Sequence, residues 1–180
     1  IRHYEIELEN SGITYEVGDT LNVIPQNNQK LVNLILKKLH IDENFIPSGE
    51  NETMQNLLLK KYEISTPNKI LIEEIINKSK NIDVRKILVS DDKEKLNSFL
   101  WGKDILDLLN LDEKINFESE EFLGFLKPLQ PRAYSISSSL KMHQSQVHLT
   151  ISAVRWSGKE RLHNGVCSTY LADMKSPFSK

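Results

Sequence analysis

The sequence has 180 residues, 39% hydrophobic and 27% charged, with 23 basic residues against 25 acidic ones and a net charge of −2. A globule of this length buries about 70% of its unfolded surface without staples, and no apolar run reaches the roughly 18 to 20 residues of a membrane span. The near-neutral balance provides no positive field for nucleic acid or anionic lipid, and the single cysteine, Cys167, excludes an internal disulfide framework and fits a reducing, cytoplasmic setting in which the sequons at Asn51 and Asn77 are chance.

The chain opens at Ile1 inside a strand pattern, with no leader signature, and so reads as a piece of a longer protein. Tyr4, Ile6 and Leu8 alternate with Glu5, Glu7 and Glu9, and Asn10-Ser11-Gly12 then supplies a turn. Ile13 and Tyr15 start a second strand, Val17-Gly18-Asp19 turns again, and Leu21, Val23 and Ile24 form a third short run closed by Pro25. From about Asn28 the period becomes helical: Leu31, Leu34, Ile35 and the stretch to Leu39, then Met54 to Tyr62, then a helix opened by Pro67 that carries Leu71, Ile72, Ile75 and Ile76. The run WGKDILDLLN places Trp101, Ile105, Leu108 and Leu109 on one helical face. After Leu126, Pro128 and Pro131 end the helical signal, and Arg132 to Ile136 and Val147 to Val154 return to strand character. Gly165 to Met174 reads as a turn leading into a helix, with Ser168 or Thr169 able to cap it.

Neither a Gly-rich dinucleotide fingerprint nor a phosphate-cradling P-loop can be assembled from the seven glycines, and with scattered histidines and no paired cysteine no metal site is expected. Two segments carry chemistry. PRAYSISSS offers a cation at Arg132, an aromatic plane at Tyr134 and hydroxyls at Ser135, Ser137, Ser138 and Ser139. In a strand Arg132 and Tyr134 share one face, with Ala133 and Ser135 on the other. A guanidinium fork suits a pyrophosphate, and a tyrosine ring can cover a planar group. NGVCSTYLAD sets a glycine at a strand-to-helix turn, where backbone approaches a ligand closely and first-turn N–H groups meet an anion. Taken singly, the commoner meanings are a strand with an exposed arginine and a serine-rich turn, and an ordinary capped helix. Cys167 reads as a small packing residue and not as a nucleophile.

Together these segments resemble the diflavin reductase family, which includes sulfite reductase flavoproteins, cytochrome P450 reductases and nitric oxide synthase reductases. RHYEIELENSGITYEVGDTLNVIPQN is similar to the family's opening barrel strands, LLLKKYEIS and WGKDILDLL to parts of its helical connecting domain, PRAYSISSS to its flavin motif and GVCSTYLAD to its pyrophosphate turn and helix. The wording around the last two is most similar to the sulfite-reducing branch. Lys103 departs from the family's usual arginine, and lysine lacks the bidentate fork.

The resemblance implies an α+β fold: an antiparallel six-stranded FAD-binding β-barrel of the ferredoxin-reductase type, residues 1–28 and 127–180, interrupted by a helical connecting domain, residues 29–126. It implies that Arg132 contacts the FAD pyrophosphate, Tyr134 covers the isoalloxazine and Ser135 lies near flavin N5 as the catalytic hydroxyl, beside Ala133. It further implies that Thr150, Ile151 and Ser152 border the pyrimidine edge, Trp156 meets the adenine, and Gly165, Val166, Cys167 and Ser168 close on the pyrophosphate. For the full-length protein it implies FMN and NADP modules outside this stretch, with electrons passing from NADPH through FAD and FMN to a sulfite reductase haemoprotein β-subunit. Without the NADP module the stretch alone should not oxidise NADPH efficiently. A P450-type or nitric oxide synthase-type acceptor, or a cofactor-free interaction module built on the apolar helix faces, stays open on the residues alone.

Overall fold

A computed structural model describes residues 1–89, 92–158 and 161–174. Among them the order is β1 (Arg2–Glu7), β2 (Thr20–Val23), α1 (Gln29–Leu39), α2 (Met54–Lys60), α3 (Lys69–Lys78), α4 (Ile82–Leu88), α5 (Lys93–Leu100), α6 (Ile105–Leu109), α7 (Ser119–Phe125), β3 (Arg132–Ser135), β4 (Gln146–Ile151), β5 (Arg155–Ser157), β6 (Leu162–Asn164) and α8 (Val166–Asp173). The fold is therefore α+β, with strands at both ends of the chain and helices between. The described residues form two compact units: residues 1–25, 130–155 and 164–174 make one, and residues 26–129 with 156–163 make the other.

In the first unit β1 pairs antiparallel with β4, Glu5 opposite His148, and β2 pairs antiparallel with β3, Leu21 opposite Tyr134. An isolated bridge between Ile136 and Leu149, with Ser137 N donating to His148 O at 2.9 Å, carries the line of β3 onto β4. The third pair is β5 with β6, so the described strands form three two-stranded sheets. Alternation along β4 buries Val147, Leu149 and Ile151, as its sequence predicts. The strand ends at Ile151 and not at Val154 because its partner runs out there: Arg2 already stands opposite Ile151.

The strand expected at Ile13 and Tyr15 does not form among the described residues. Tyr15 is instead buried and held by its side chain, with its hydroxyl donating to Gln146 O at 2.9 Å and lying 2.6 Å from Ser138 Oγ. With the single phenolic proton spent on the carbonyl, the Ser138 hydroxyl is the donor in that pair. Gly18, at φ +103°, makes the turn into β2 in a backbone region L side chains rarely adopt.

In the second unit α1 follows Asn28, whose side chain accepts from the N–H groups of Lys30 and Leu31, and α3 follows Asn68, which accepts from Leu71 N. Ile35, Leu57, Leu58, Leu71, Ile75 and Leu108 are fully buried in one apolar core. The helical face proposed across WGKDILDLLN breaks in two. Trp101 caps the end of α5 and is 86% exposed, Gly102 takes φ +72°, and α6 starts only after Asp104, in a capping box with Asp107. No helix among the described residues is long and apolar enough to cross a membrane.

Candidate functional site

The strand β3 presents its residues as the alternation predicts: Arg132 and Tyr134 are half-buried, and Ala133 and Ser135 are exposed opposite Asn22 and Thr20. Arg132 Nη1 donates to Gln130 O at 2.7 Å. The Tyr134 hydroxyl has the Cys167 thiol as a neighbour. Burial, then that thiol, push the phenol well above its ordinary range, while the Arg132 guanidinium pulls the other way. Burial likewise raises the Cys167 thiol, again against the pull of Tyr134 and Arg132. One cation therefore acts on both groups, which brings the two sequence motifs into one neighbourhood of the first unit.

The second motif starts α8 directly after Gly165, whose N–H donates to Val154 O at 2.9 Å. A Cβ at Gly165 would lie 2.9 Å from Ser168 Oγ and 3.2 Å from Val154 Cβ, so packing excludes a side chain here. Ser168 and Thr169 do not cap the helix as expected. Ser168 Oγ accepts from Val154 N at 3.2 Å, Thr169 Oγ1 donates to Gly165 O at 2.8 Å, and both residues are buried. Their hydroxyls are spent on holding the turn, and what the helix start offers an anion is its first-turn backbone N–H groups, Val166 and Cys167 among them.

At the end of β4, Thr150 is exposed opposite His3, Ile151 is buried and Ser152 is exposed just past the strand. Trp156 belongs to the other unit. Its Nε1 donates to Gly102 O at 2.9 Å and its ring stacks on His163, centroids 5.4 Å apart and planes 15° from parallel. Arg132, Tyr134 and Cys167 are thus brought together, whereas Trp156 is fixed by helical-unit partners. A cavity of about 220 Å³ bordered by Ile13, Tyr15, Leu21 and Ile136 lies along β2 and does not include Arg132, Tyr134 or Ser135. It is smaller than the roughly 300 to 1,000 Å³ of ordinary small-molecule sites.

Two clusters were not expected from the scattered histidines. In the helical unit Arg161 Nη2 contacts Asp104 Oδ1 and lies 3.0 Å from Asp107 Oδ1, while His163 Nε2 sits 2.7 Å from Asp107 Oδ2. Burial raises the Asp104 carboxyl above its usual range despite Arg161. Asp107 is also desolvated, but the Asp104 backbone N–H, His163 and Arg161 outweigh that and hold it below the usual range. In the first unit His3, Glu5 and His148 meet across β1 and β4. The only sequence signal for the former was the three-residue spacing of Asp104 and Asp107 that makes a capping box, and no signal pointed to the latter.

A guanidinium, a half-buried phenol and the start of an eight-residue helix, gathered in one unit, are a donor set that fits a pyrophosphate joined to a planar ring. Residues 1–170 match the family model described as the FAD binding domain. The chain belongs to the FAD-binding domain family of the diflavin reductases, and FAD is the cofactor of such a domain. Among curated proteins it is similar to the sulfite reductase [NADPH] flavoprotein alpha-component of Bacillus subtilis (strain 168), 36% identical over 180 residues, covering 98% of this chain and 30% of the relative. The same component of Aliivibrio fischeri is 33% identical over 174 residues, covering 96% of this chain and 28% of the relative. That of Vibrio vulnificus is 34% identical over 174 residues with the same coverage, 96% and 28%. The chain spans about 30% of the length of the curated relatives it matches.

Proposed function

We propose that this chain is the FAD-holding section of an NADPH-dependent diflavin reductase, an oxidoreductase of the cytoplasm that delivers electrons to a sulfite reductase haemoprotein. The observation that supports it most is the convergence of Arg132, Tyr134 and the Cys167 turn on one unit of a chain whose residues 1–170 match the FAD binding domain. The 36% identity to a sulfite reductase flavoprotein favours that acceptor over a P450 or nitric oxide synthase. FMN and NADPH would be held by the rest of the full-length protein.

In this reading the strands of residues 1–28 and 127–180 are parts of a six-stranded barrel, a proposal favoured by the Ile136 to Leu149 bridge that links two strand pairs, and residues 29–126 are the connecting domain. Arg132 would neutralise the pyrophosphate together with the first-turn N–H groups of Val166, Cys167 and Ser168, while Gly165, its own N–H held by Val154 O, would let the backbone close on the ligand. Tyr134 would cover one face of the isoalloxazine, and the exposed Ser135 hydroxyl would offer a hydrogen bond at flavin N5, next to Ala133. Backbone groups of Thr150, Ile151 and Ser152 would border the pyrimidine edge, and the Trp156 ring, already held by Gly102 O, would meet the adenine. FAD held there would supply hydride-accepting and one-electron-donating chemistry, and the chain's own residues would bind and orient it.

The test is direct. The purified chain is mixed with FAD, desalted, and its visible spectrum recorded. Flavin bands that stay with the protein are the expected result, and their loss on desalting overturns the reading.

A further inference from the structure

We propose that His3, Glu5 and His148 form a binding site for a divalent transition metal of the zinc class, on the β1–β4 pair of the first unit. His3 Nε2 and His148 Nδ1 lie 3.3 Å apart. Two nitrogens bound to one zinc at about 2.0 to 2.1 Å with tetrahedral angles stand about 3.3 to 3.4 Å from each other, so the two rings already hold the spacing a shared ion requires. Glu5 Oε1 is 4.0 Å from His3 Nε2, and both side chains are substantially exposed, so a small rotation of Glu5 completes a three-donor set. The register of the strands produces this arrangement: Glu5 stands opposite His148, and His3 opposite Thr150, on the same sheet face.

The surrounding hydrogen bonds aim the nitrogens. His148 is 7% exposed, and its Nε2 lies 3.2 Å from Gln146 Oε1. The Gln146 amide is oriented by its own Nε2, which donates to Glu7 Oε1, so the oxygen facing His148 must accept and His148 Nε2 must carry the proton. In the neutral ring that leaves a lone pair on Nδ1, pointing at His3. On the far side of His3, Nδ1 is 3.1 Å from Thr150 Oγ1, a hydroxyl able to accept the Nδ1 proton and so free Nε2 as a second lone pair. Partners of this kind on the outer nitrogen are how metal-binding histidines are held in the required tautomer. Without a metal, the same 3.3 Å gap is closed by a proton on His3 Nε2 donated to His148.

Imidazole nitrogens paired with one carboxylate favour zinc, nickel or copper over magnesium or calcium, which take oxygen donors. The other carboxylate and histidine group, Asp104, Asp107 and His163, is a poorer host, because the Arg161 guanidinium already supplies the positive charge between its carboxylates.

Zinc chloride titrated calorimetrically into the chelator-treated chain is expected to bind one equivalent, with magnesium chloride giving no heat of binding. His3→Ala is expected to weaken zinc at least ten-fold with far-ultraviolet circular dichroism unchanged, Glu5→Gln to weaken it several-fold, and His40→Ala to leave it unaltered. Absence of zinc binding, or equal affinity in H3A and the unsubstituted chain, overturns the proposal. Should H3A lose its folded spectrum, E5Q decides, since an exposed carboxylate is replaced by its isostere and unchanged affinity there is equally fatal.

Discussion

The phenol of Tyr134 and the thiol of Cys167 are neighbours that shift each other's ionisation, linking β3 to the first turn of α8. Burial raises the thiol, and Cys167 is 3% exposed, so little thiolate exists near neutral pH to attack an electrophile. Native protein is expected to react with iodoacetamide far more slowly than urea-unfolded protein. Labelling at equal rates in the two states would show that the thiol is open to solvent.

Arg132→Ala tests the proposed pyrophosphate contact. A charge-assisted hydrogen bond is worth roughly 1.5 to 3 kcal/mol, so FAD affinity is expected to fall by about ten- to a hundred-fold. Fluorescence titration of FAD reads this, and an unchanged dissociation constant removes Arg132 from the site.

Arg161→Ala leaves Asp104, 6% exposed at its side chain, without its cation while Asp107 still faces it. Breaking such a pair is expected to cost about 3 kcal/mol, the low end of a roughly 3 to 5 kcal/mol range, because Arg161 keeps some solvent contact. Urea unfolding followed by circular dichroism measures it, and a loss below about 0.5 kcal/mol, the scale of ordinary surface substitutions, refutes the role.

Asp112 binds together the start of α4 and the loop after α6: its carboxylate accepts from Lys114 N at 3.0 Å, Lys80 N at 2.8 Å, Asn81 N at 3.0 Å and Ser79 Oγ at 3.0 Å. The Lys114 backbone N–H leads the causes that hold its pKa down to about 2, from an ordinary 3.8. The folded value lies below the unfolded one, so this stabilisation is present above about 3.8 and is lost as pH falls through about 2. Asp112→Asn is expected to flatten the acid limb of a melting-temperature profile in that window; an identical limb in both proteins would contradict it.

Leu57 is fully buried, and Leu34 is 45% exposed although both sit in helical apolar patterns. Leu57→Ala is expected to cost about 2 to 5 kcal/mol and Leu34→Ala less than about 0.5 kcal/mol. Equal losses by urea unfolding would mean that the helix α1 presents a different face to the core.

What could be read from the sequence was what depends on neighbours along the chain. Alternation placed Arg132 and Tyr134 on the half-buried side of β3 and buried Val147, Leu149 and Ile151, and helical spacing found the core face of α3 and most of that of α1, where Leu34 points to solvent and Val32 to the core. Where an element stops depends on distant partners: β4 ends opposite Arg2, where β1 begins, and α6 begins only after the Gly102 turn. The hydroxyls of Ser168 and Thr169 turned inward because Val154 N and Gly165 O were there to be satisfied, which no local pattern announces. The two histidine clusters were invisible for the same reason, since His3 and His148 are 145 positions apart.

That separation has a bearing on how the polypeptide is made. At about 5 to 20 residues per second, β1 waits roughly 7 to 30 seconds after leaving the ribosome before β4 exists to pair with it. Throughout that interval it is a naked edge, open to the strands of other nascent chains. Its outward positions are Arg2, His3, Glu5 and Glu7, charged or polar at every exposed site. Like charges on neighbouring copies repel and tilt the competition toward waiting for the correct mate, so His3, Glu5 and Glu7, which line one face of the finished sheet, also guard its unfinished edge during synthesis.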